Sequence, residues 1–214
     1  VPNTTATAAS SGSDLNGMAV KQACDTICAR ISSYFIEKYR PNTNDVKFEN
    51  GRVKGSNFDI SFEDAVQEIY TQRISLSSTG FYKTPDLQWD RILGKGRPFY
   101  YFAYGAAVSE VVVDTLTGEF KLLRTDILHD AGKSLNPAID IGQVEGGFIQ
   151  GLGWLTTEEL VWNNKGELKT HAPSTYKIPC ASDRPKIFNV RLFENLNSEN
   201  TIFKSKAVGE PPFM

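Results

Sequence analysis

Apolar residues recur along this chain with two different periods, and the periods sort it into helices and strands. Val20, Cys24, Ile27, Ile31 and Phe35 fall at helical spacing, which predicts a helix opening at Asp14 and running to about Lys38, before Pro41. From 45 to 60 the apolar residues alternate around Asn50 and Gly51, a hairpin pattern. Ser61 to Asp64 has capping-box form, and Phe62, Ala65, Val66, Ile69 and Tyr70 give the face of a short helix. Residues 74–82 read as a strand and 89–98 as a loop. The longest β-rich stretch, 99–130, predicts an antiparallel hairpin about a turn at 115–118. Another hairpin is predicted over 160–170 and a last strand over 188–194. Helices and strands are interspersed without regular alternation, so the fold class is α+β, with mixed or antiparallel sheets and packed helices.

One further segment, 135–160, combines a strong helix start with many glycines. Asn136 followed by Pro137 is an N-cap with proline at the first helical position. Ile141, Val144, Phe148, Leu152 and Leu155 define its apolar face, yet Gly142, Gly146, Gly147, Gly151 and Gly153 fall inside it. Each glycine costs roughly 1 kcal/mol relative to alanine in a helix interior. Such a surface admits close approach, either by a packed helix or by a ligand.

Composition narrows the function classes. A net charge of −2 without a basic stripe argues against nucleic acid or an anionic membrane surface as partner. No apolar run approaches the roughly 20 residues of a membrane helix. Cys24, Cys28 and Cys180, an odd number, form no disulfide framework and read as buried reduced thiols, which favours the cytoplasm. No metal-ligand set is apparent. The chain starts at Val1 and stops on Phe213 and Met214, so both ends read as cuts through a longer polypeptide.

Two stretches carry candidate chemistry. The small-residue run 1–13 ahead of a helix is either a flexible leader or a loop whose backbone N–H groups hold an anion; it lacks both P-loop and dinucleotide spacing. In KAVGEPPFM, Pro211 excludes the helical region for Glu210, and Gly209 has no side chain to block a ligand. That stretch is either a tail or a constrained carboxylate. His129 and His171 read as structural, His129 with its ring nitrogens satisfied.

TATAASSGSDLNG at 5–17, SLNPAIDIGQVEGGFIQGLG at 134–153 and SKAVGEPP at 205–212 stand in an order and separation that resembles the C-terminal molybdopterin-binding portion of the xanthine dehydrogenase/oxidase family. YFAYGAAVSEVVVDTLTGE and HAPSTYKIP resemble the same family, so the match spans nearly the whole chain. The resemblance implies that residues 1–214 are a fragment, the second half, of a molybdopterin-binding domain, with two subdomains dividing near 130–160. It implies a molybdopterin cofactor and hydroxylation of a purine carbon next to ring nitrogen, with water as the oxygen source. Glu210 would be the general base and Gln143 the pterin-binding glutamine. Thr7, Ala8, Ala9, Ser10, Ser11, Gly12 and Ser13 would form the loop against the cofactor. FAD and 2Fe–2S clusters are expected on other domains or partner chains, together with the first molybdopterin-binding half. An aldehyde oxidase of the same class and a non-catalytic module that kept the fold are the alternatives.

Overall fold

A computed structural model describes residues 10–43 and 45–213. The chain separates into two units, Leu15–Lys83 on one hand and residues 10–14 with 84–213 on the other. Among the described residues the chain passes between the units at Asp14–Leu15 and again at Lys83–Thr84, and 130–160 lies within the second unit.

A π-helical turn, Gly12–Gly17, leads into helix α1, Met18–Tyr39. Regular α-helix therefore begins later than Asp14, and Gly17 makes no side-chain cap bond. The helix stops where Arg40 turns left-handed, at φ 46°. Of its apolar face only Ile31 and Phe35 are fully buried, while Val20 and Cys24 are exposed. Strands β1 (Lys47–Glu49), β2 (Arg52–Gly55) and β3 (Phe58–Ser61) form an antiparallel sheet in that order. Asn50 at φ 50° and Gly51 at φ 69° give the β1–β2 turn the left-handed pair that a two-residue hairpin needs. Helix α2, Phe62–Thr71, starts on Ser61, whose Oγ accepts from the Asp64 N–H at 3.1 Å. Ile31, Phe35, Val53, Phe58, Ala65 and Ile69 close the core of this unit.

Two expectations fail in this unit. Residues 74–82 join no sheet. Side chains of α1 meet their backbone instead: Arg30 donates to the Ser75 and Ser77 carbonyls at 3.1 and 2.7 Å, and Gln22 Oε1 accepts from Phe81 N–H at 2.8 Å. The cysteines are not buried thiols, because Cys28 is half-buried and Cys24, like Cys180 of the second unit, is exposed; all are free.

In the second unit the segment read as a loop holds a small hairpin, β4 (Gln88–Asp90) with β5 (Lys95–Arg97). Asp90 Oδ1 closes its turn by accepting from Ile92 and Leu93 N–H at 2.8 and 3.0 Å. The main sheet runs in the order β6 (Gly105–Val113), β7 (Phe120–His129), β8 (Ile187–Leu192). β6 is antiparallel to β7 and starts at Gly105 rather than Phe99. β8 is parallel to β7, so the sheet is mixed. Parallel neighbours need a crossover, and helix α3, Pro137–Thr156, lies on it. The predicted 160–170 hairpin is reduced to one bridge, Trp162 with Leu168.

Helix α3 begins as its sequence dictates, with Asn136 Oδ1 accepting from Ala138 and Ile139 N–H at 3.2 and 3.3 Å. Val144, fully buried, joins Ile127, Ala131 and Val208, and Phe148 packs on Phe188. The glycines decide what lies on its other side. A Cβ at Gly147 would stand 2.9 Å from the Gly209 carbonyl oxygen, and one at Gly151 would stand 2.4 Å from that of Phe213. Gly153 lies against the side chains of Glu158 and Pro179, but at Gly142 and Gly146 no described residue comes within 4 Å of where a Cβ would stand. Among the described residues the partner at Gly147 and Gly151 is thus not a packed helix, and none stands at Gly146. It is the irregular C-terminal segment, whose Phe213 also meets Trp154 edge to face at 4.2 Å.

A buried ion pair anchors the upstream end of that segment. Lys206 Nζ lies 2.6 Å from Asp130 Oδ2, with side chains 7% and 6% exposed. Burial alone would raise the Asp130 carboxyl, but Lys206, the Gly132 N–H and the Asn195 amide together hold it below the ordinary carboxylate range. The Lys206 N–H donates to the Ala131 carbonyl at 2.8 Å.

Gly151→Ala in the intact protein is expected to speed hydrogen exchange at the Gly209, Glu210 and Phe213 amides, whereas Gly146→Ala leaves them unchanged and stabilises α3 by roughly 1 kcal/mol. Equal effects from the two substitutions would contradict the assignment of contacts. For the ion pair, the folded pKa of Asp130 lies below its unfolded value, so its contribution is present above about pH 4 and is lost as pH falls through the depressed value. Exchange protection at the Gly132 and Lys206 amides, corrected for intrinsic rates, should be flat above about pH 4 and drop below it. Lys206→Met should remove about 3–5 kcal/mol of that protection at neutral pH.

Candidate functional site

Chain segments far apart in sequence converge on Gly209. The Glu210 N–H donates to Ser10 Oγ at 2.7 Å. A Cβ on Gly209 would fall 2.8 Å from that same oxygen and 3.1 Å from Gln143 Oε1. Only glycine fits between these two polar groups. Ser10, itself left-handed at φ 51°, brings its hydroxyl to the C-terminal segment from the small-residue loop. Gln143 comes from the second turn of α3, one turn before Gly147 receives the Gly209 carbonyl. Glu210 and Gln143 are exposed residues at the rim of this convergence.

A second set of bonds ties the same two segments together. The Tyr101 phenol donates to Asp14 Oδ2 at 2.5 Å and accepts from the Ala207 N–H at 2.7 Å. Burial, followed by the Asp14 carboxylate, pushes the Tyr101 hydroxyl well above its ordinary value, so it stays protonated as a donor. Burial also raises the Asp14 carboxyl, against the lowering effect of the Tyr101 hydrogen bond. The loop 10–14 and the segment 207–210 are therefore joined at both ends, directly through Ser10 and indirectly through Tyr101.

The residues singled out in the sequence fare differently. Ser10, Gln143 and the Gly209–Glu210 pair come together. Ser11 and Gly12 follow Ser10 as half-buried residues and Ser13 is exposed. Thr7, Ala8 and Ala9 lie outside the described residues. His171 is exposed. His129 is buried, but its Nε2 has no hydrogen-bond partner among the described residues, so only part of the expected satisfaction is met. Burial holds its imidazole below the ordinary value, and it is neutral at pH 7. Sequence reasoning passed over Tyr101, Asp14, Asp130 and Lys206. Tyr101 lies in an aromatic run that reads as strand, and nothing in the spacing pairs it with residues 87 positions upstream or 106 downstream.

The donor set suits a pterin. Its heteroaromatic edge presents donors and acceptors side by side, which match an amide such as Gln143 and the hydroxyls and N–H groups of a small-residue loop. The missing Cβ of Gly209 keeps the approach between Ser10 and Gln143 narrow. Among the described residues no group of three or more His, Cys, Asp or Glu could hold a metal ion directly. No helix among them is long and apolar enough to cross a membrane.

Comparison with known proteins places the chain as a whole. Residues 1–185 match the family model described as the molybdopterin cofactor-binding domain. The chain is 49% identical over 212 residues to xanthine dehydrogenase/oxidase of Mus musculus, covering 99% of this chain and 14% of that protein. It is 49% identical over 220 residues to xanthine dehydrogenase of Oryza sativa subsp. japonica, covering 100% of this chain and 15% of that protein. The chain thus spans about a seventh of the length of these relatives. Among solved structures, quinoline 2-oxidoreductase from Pseudomonas putida 86 superposes with a TM-score of 0.79 at 21% identity, over 96% of this chain and 26% of that one. Aldehyde oxidoreductase from Desulfovibrio gigas gives 0.71 at 20% identity, over 97% and 20%. At these identities the two structures establish the fold alone, while the family model goes further: the chain belongs to the molybdopterin cofactor-binding domain family, and along its length it is similar to a portion of xanthine dehydrogenase.

Proposed function

We propose that this chain supplies the general base and one pterin-binding wall of an enzyme that hydroxylates purines such as hypoxanthine and xanthine at a carbon next to ring nitrogen. The observation that carries this reading is the convergence of Ser10, Gln143 and the Gly209–Glu210 backbone from segments more than 60 residues apart in sequence.

In the net reaction a C–H carbon becomes C–OH. Water provides the oxygen, two electrons leave the substrate, and two protons are released. Molybdopterin, when bound, supplies the acceptor for the electron pair. Glu210 takes a proton from the water-derived nucleophile, a role for which a positioned base contributes roughly 10² to 10⁴ in rate. Its backbone is held by the Ser10 hydroxyl in front and by the Pro211–Phe213 turn on α3 behind. Gln143 would hold the pterin edge through its amide, and the loop of Thr7, Ala8, Ala9, Ser10, Ser11, Gly12 and Ser13 would hold the cofactor through its backbone N–H groups.

The purine is favoured over an aldehyde because the relatives at 49% identity are named for xanthine, whereas the aldehyde- and quinoline-oxidising neighbours share only the fold. The remaining molybdopterin-binding half, and FAD and 2Fe–2S carriers for the electrons, belong to other parts or partner chains of a cytoplasmic enzyme.

The full-length enzyme is expected to oxidise hypoxanthine in preference to a simple aldehyde. Glu210→Gln should lower kcat by about 10² or more while molybdenum content, measured by mass spectrometry, stays at the unsubstituted level. Near-normal turnover by the variant removes Glu210 from the reaction. A preference for the aldehyde removes the purine assignment, and protein purified without molybdenum favours a non-catalytic module.

A further inference from the structure

The segment that carries Glu210 is held at several points, and each does something different. The Lys206–Asp130 pair and the Lys206 N–H bond to Ala131 fix it to the end of β7. Val208 fixes it to the core against Ile127, Ala131 and Val144. None of these contacts involves the small-residue loop. The loop meets the segment through the Ser10 hydroxyl at Glu210 and through the Tyr101 phenol, which spans Asp14 and Ala207.

Tyr101 belongs to neither segment. It comes from the stretch ahead of β6, and its ring is half-buried. Its oxygen serves both sides at once, donating to a carboxylate and accepting from a backbone amide, so a shift of the loop at Asp14 is passed to Ala207. Ala207 stands three residues before Glu210, a reach of at most about 10 Å along the chain. A frame closed at Ser10–Glu210 and at Asp14–Tyr101–Ala207 leaves the base little freedom to move relative to the loop. Opened at the Tyr101 corner, the loop is freer to shift against a segment that Lys206, Val208 and the contacts on α3 still hold.

We propose that Tyr101 is a positioning residue: through its bonds to Asp14 and Ala207 it sets Glu210 relative to the cofactor-side loop. The inference rests on the reading of Glu210 as the base. Tyr101 touches neither substrate nor cofactor in this account, and its loss acts on the geometry of the base. Misplacement of a reacting group by a fraction of an ångström to an ångström costs roughly 10- to 100-fold in rate. Substrate binding, which needs contacts outside this frame, is unaffected.

The test is steady-state oxidation of xanthine by the full-length enzyme, with kcat expressed per molybdenum and hydrogen exchange followed at the Ala207 and Glu210 amides. Tyr101→Phe should lower kcat about tenfold with KM and molybdenum content unchanged, and should speed exchange at both amides in enzyme with and without cofactor. Asp14→Ala should lower kcat to a similar degree, and Asp14→Asn, whose amide oxygen still accepts from the phenol, should recover most of that loss. The double variant Tyr101→Phe with Asp14→Ala should be no slower than either single one. A native kcat in Tyr101→Phe overturns the proposal. So does a loss confined to molybdenum content, soluble yield or KM, and so do independent, additive effects of the two substitutions. Glu210→Gln, assayed in parallel, separates the two readings: if it still turns over, the base assignment fails and takes this inference with it. If it is inactive while Tyr101→Phe is native, only the role of Tyr101 fails.

Discussion

The contact on which the second unit depends is backbone against helix without side chains between them. Gly147 and Gly151 let the carbonyls of Gly209 and Phe213 lie where Cβ atoms would otherwise stand. Two glycines in a helix interior cost roughly 2 kcal/mol against alanine. The helix tolerates this because its other face is conventional, with Asn136 capping its start and Val144 buried against the sheet and Val208. One helix thus serves two purposes, a packed core on one side and a shelf for an irregular segment on the other.

From that shelf the rest of the site follows. With Gly209 pressed on α3, Gln143 one turn earlier falls beside it, and the Glu210 N–H points at Ser10. The ion pair of Lys206 with Asp130 would be a poor source of stability if it served that purpose alone, since burying two charges costs about as much as their attraction returns. Placed at the junction of β7 and the C-terminal segment, it specifies register instead. The carboxylate also holds the Gly132 N–H and the Asn195 amide, so slippage by one residue would strand several buried polar groups together.

What the sequence made legible was local. Asn50–Gly51, Ser61–Asp64 and Asn136–Pro137 each combine a turn or cap residue with the position that needs it, and each stands where the pattern put it. The glycine-rich helix and GEPP were also readable as unusual, because their cost demands a compensating contact. Which glycine faces which neighbour was not readable: Gly146 and Gly147 are adjacent and equivalent in composition, and only the helical phase separates a position that no described residue approaches from one against the Gly209 carbonyl. The failures have the same origin. Residues 74–82 have the composition of a strand, but their backbone partners are side chains of α1, more than 40 positions away. Tyr101 lies in a run whose β-propensity conceals one hydroxyl with two distant partners.

The central claim is that the Gly209 shelf gathers Ser10, Gln143 and Glu210 around one cofactor. Its most direct test is an experimental structure of the intact enzyme with its cofactor bound. The account predicts pterin density bordered by Gln143 and the loop containing Ser10, with the Glu210 carboxylate facing the metal. A cofactor bound elsewhere, with these three residues enclosed by protein or turned to solvent, would contradict it.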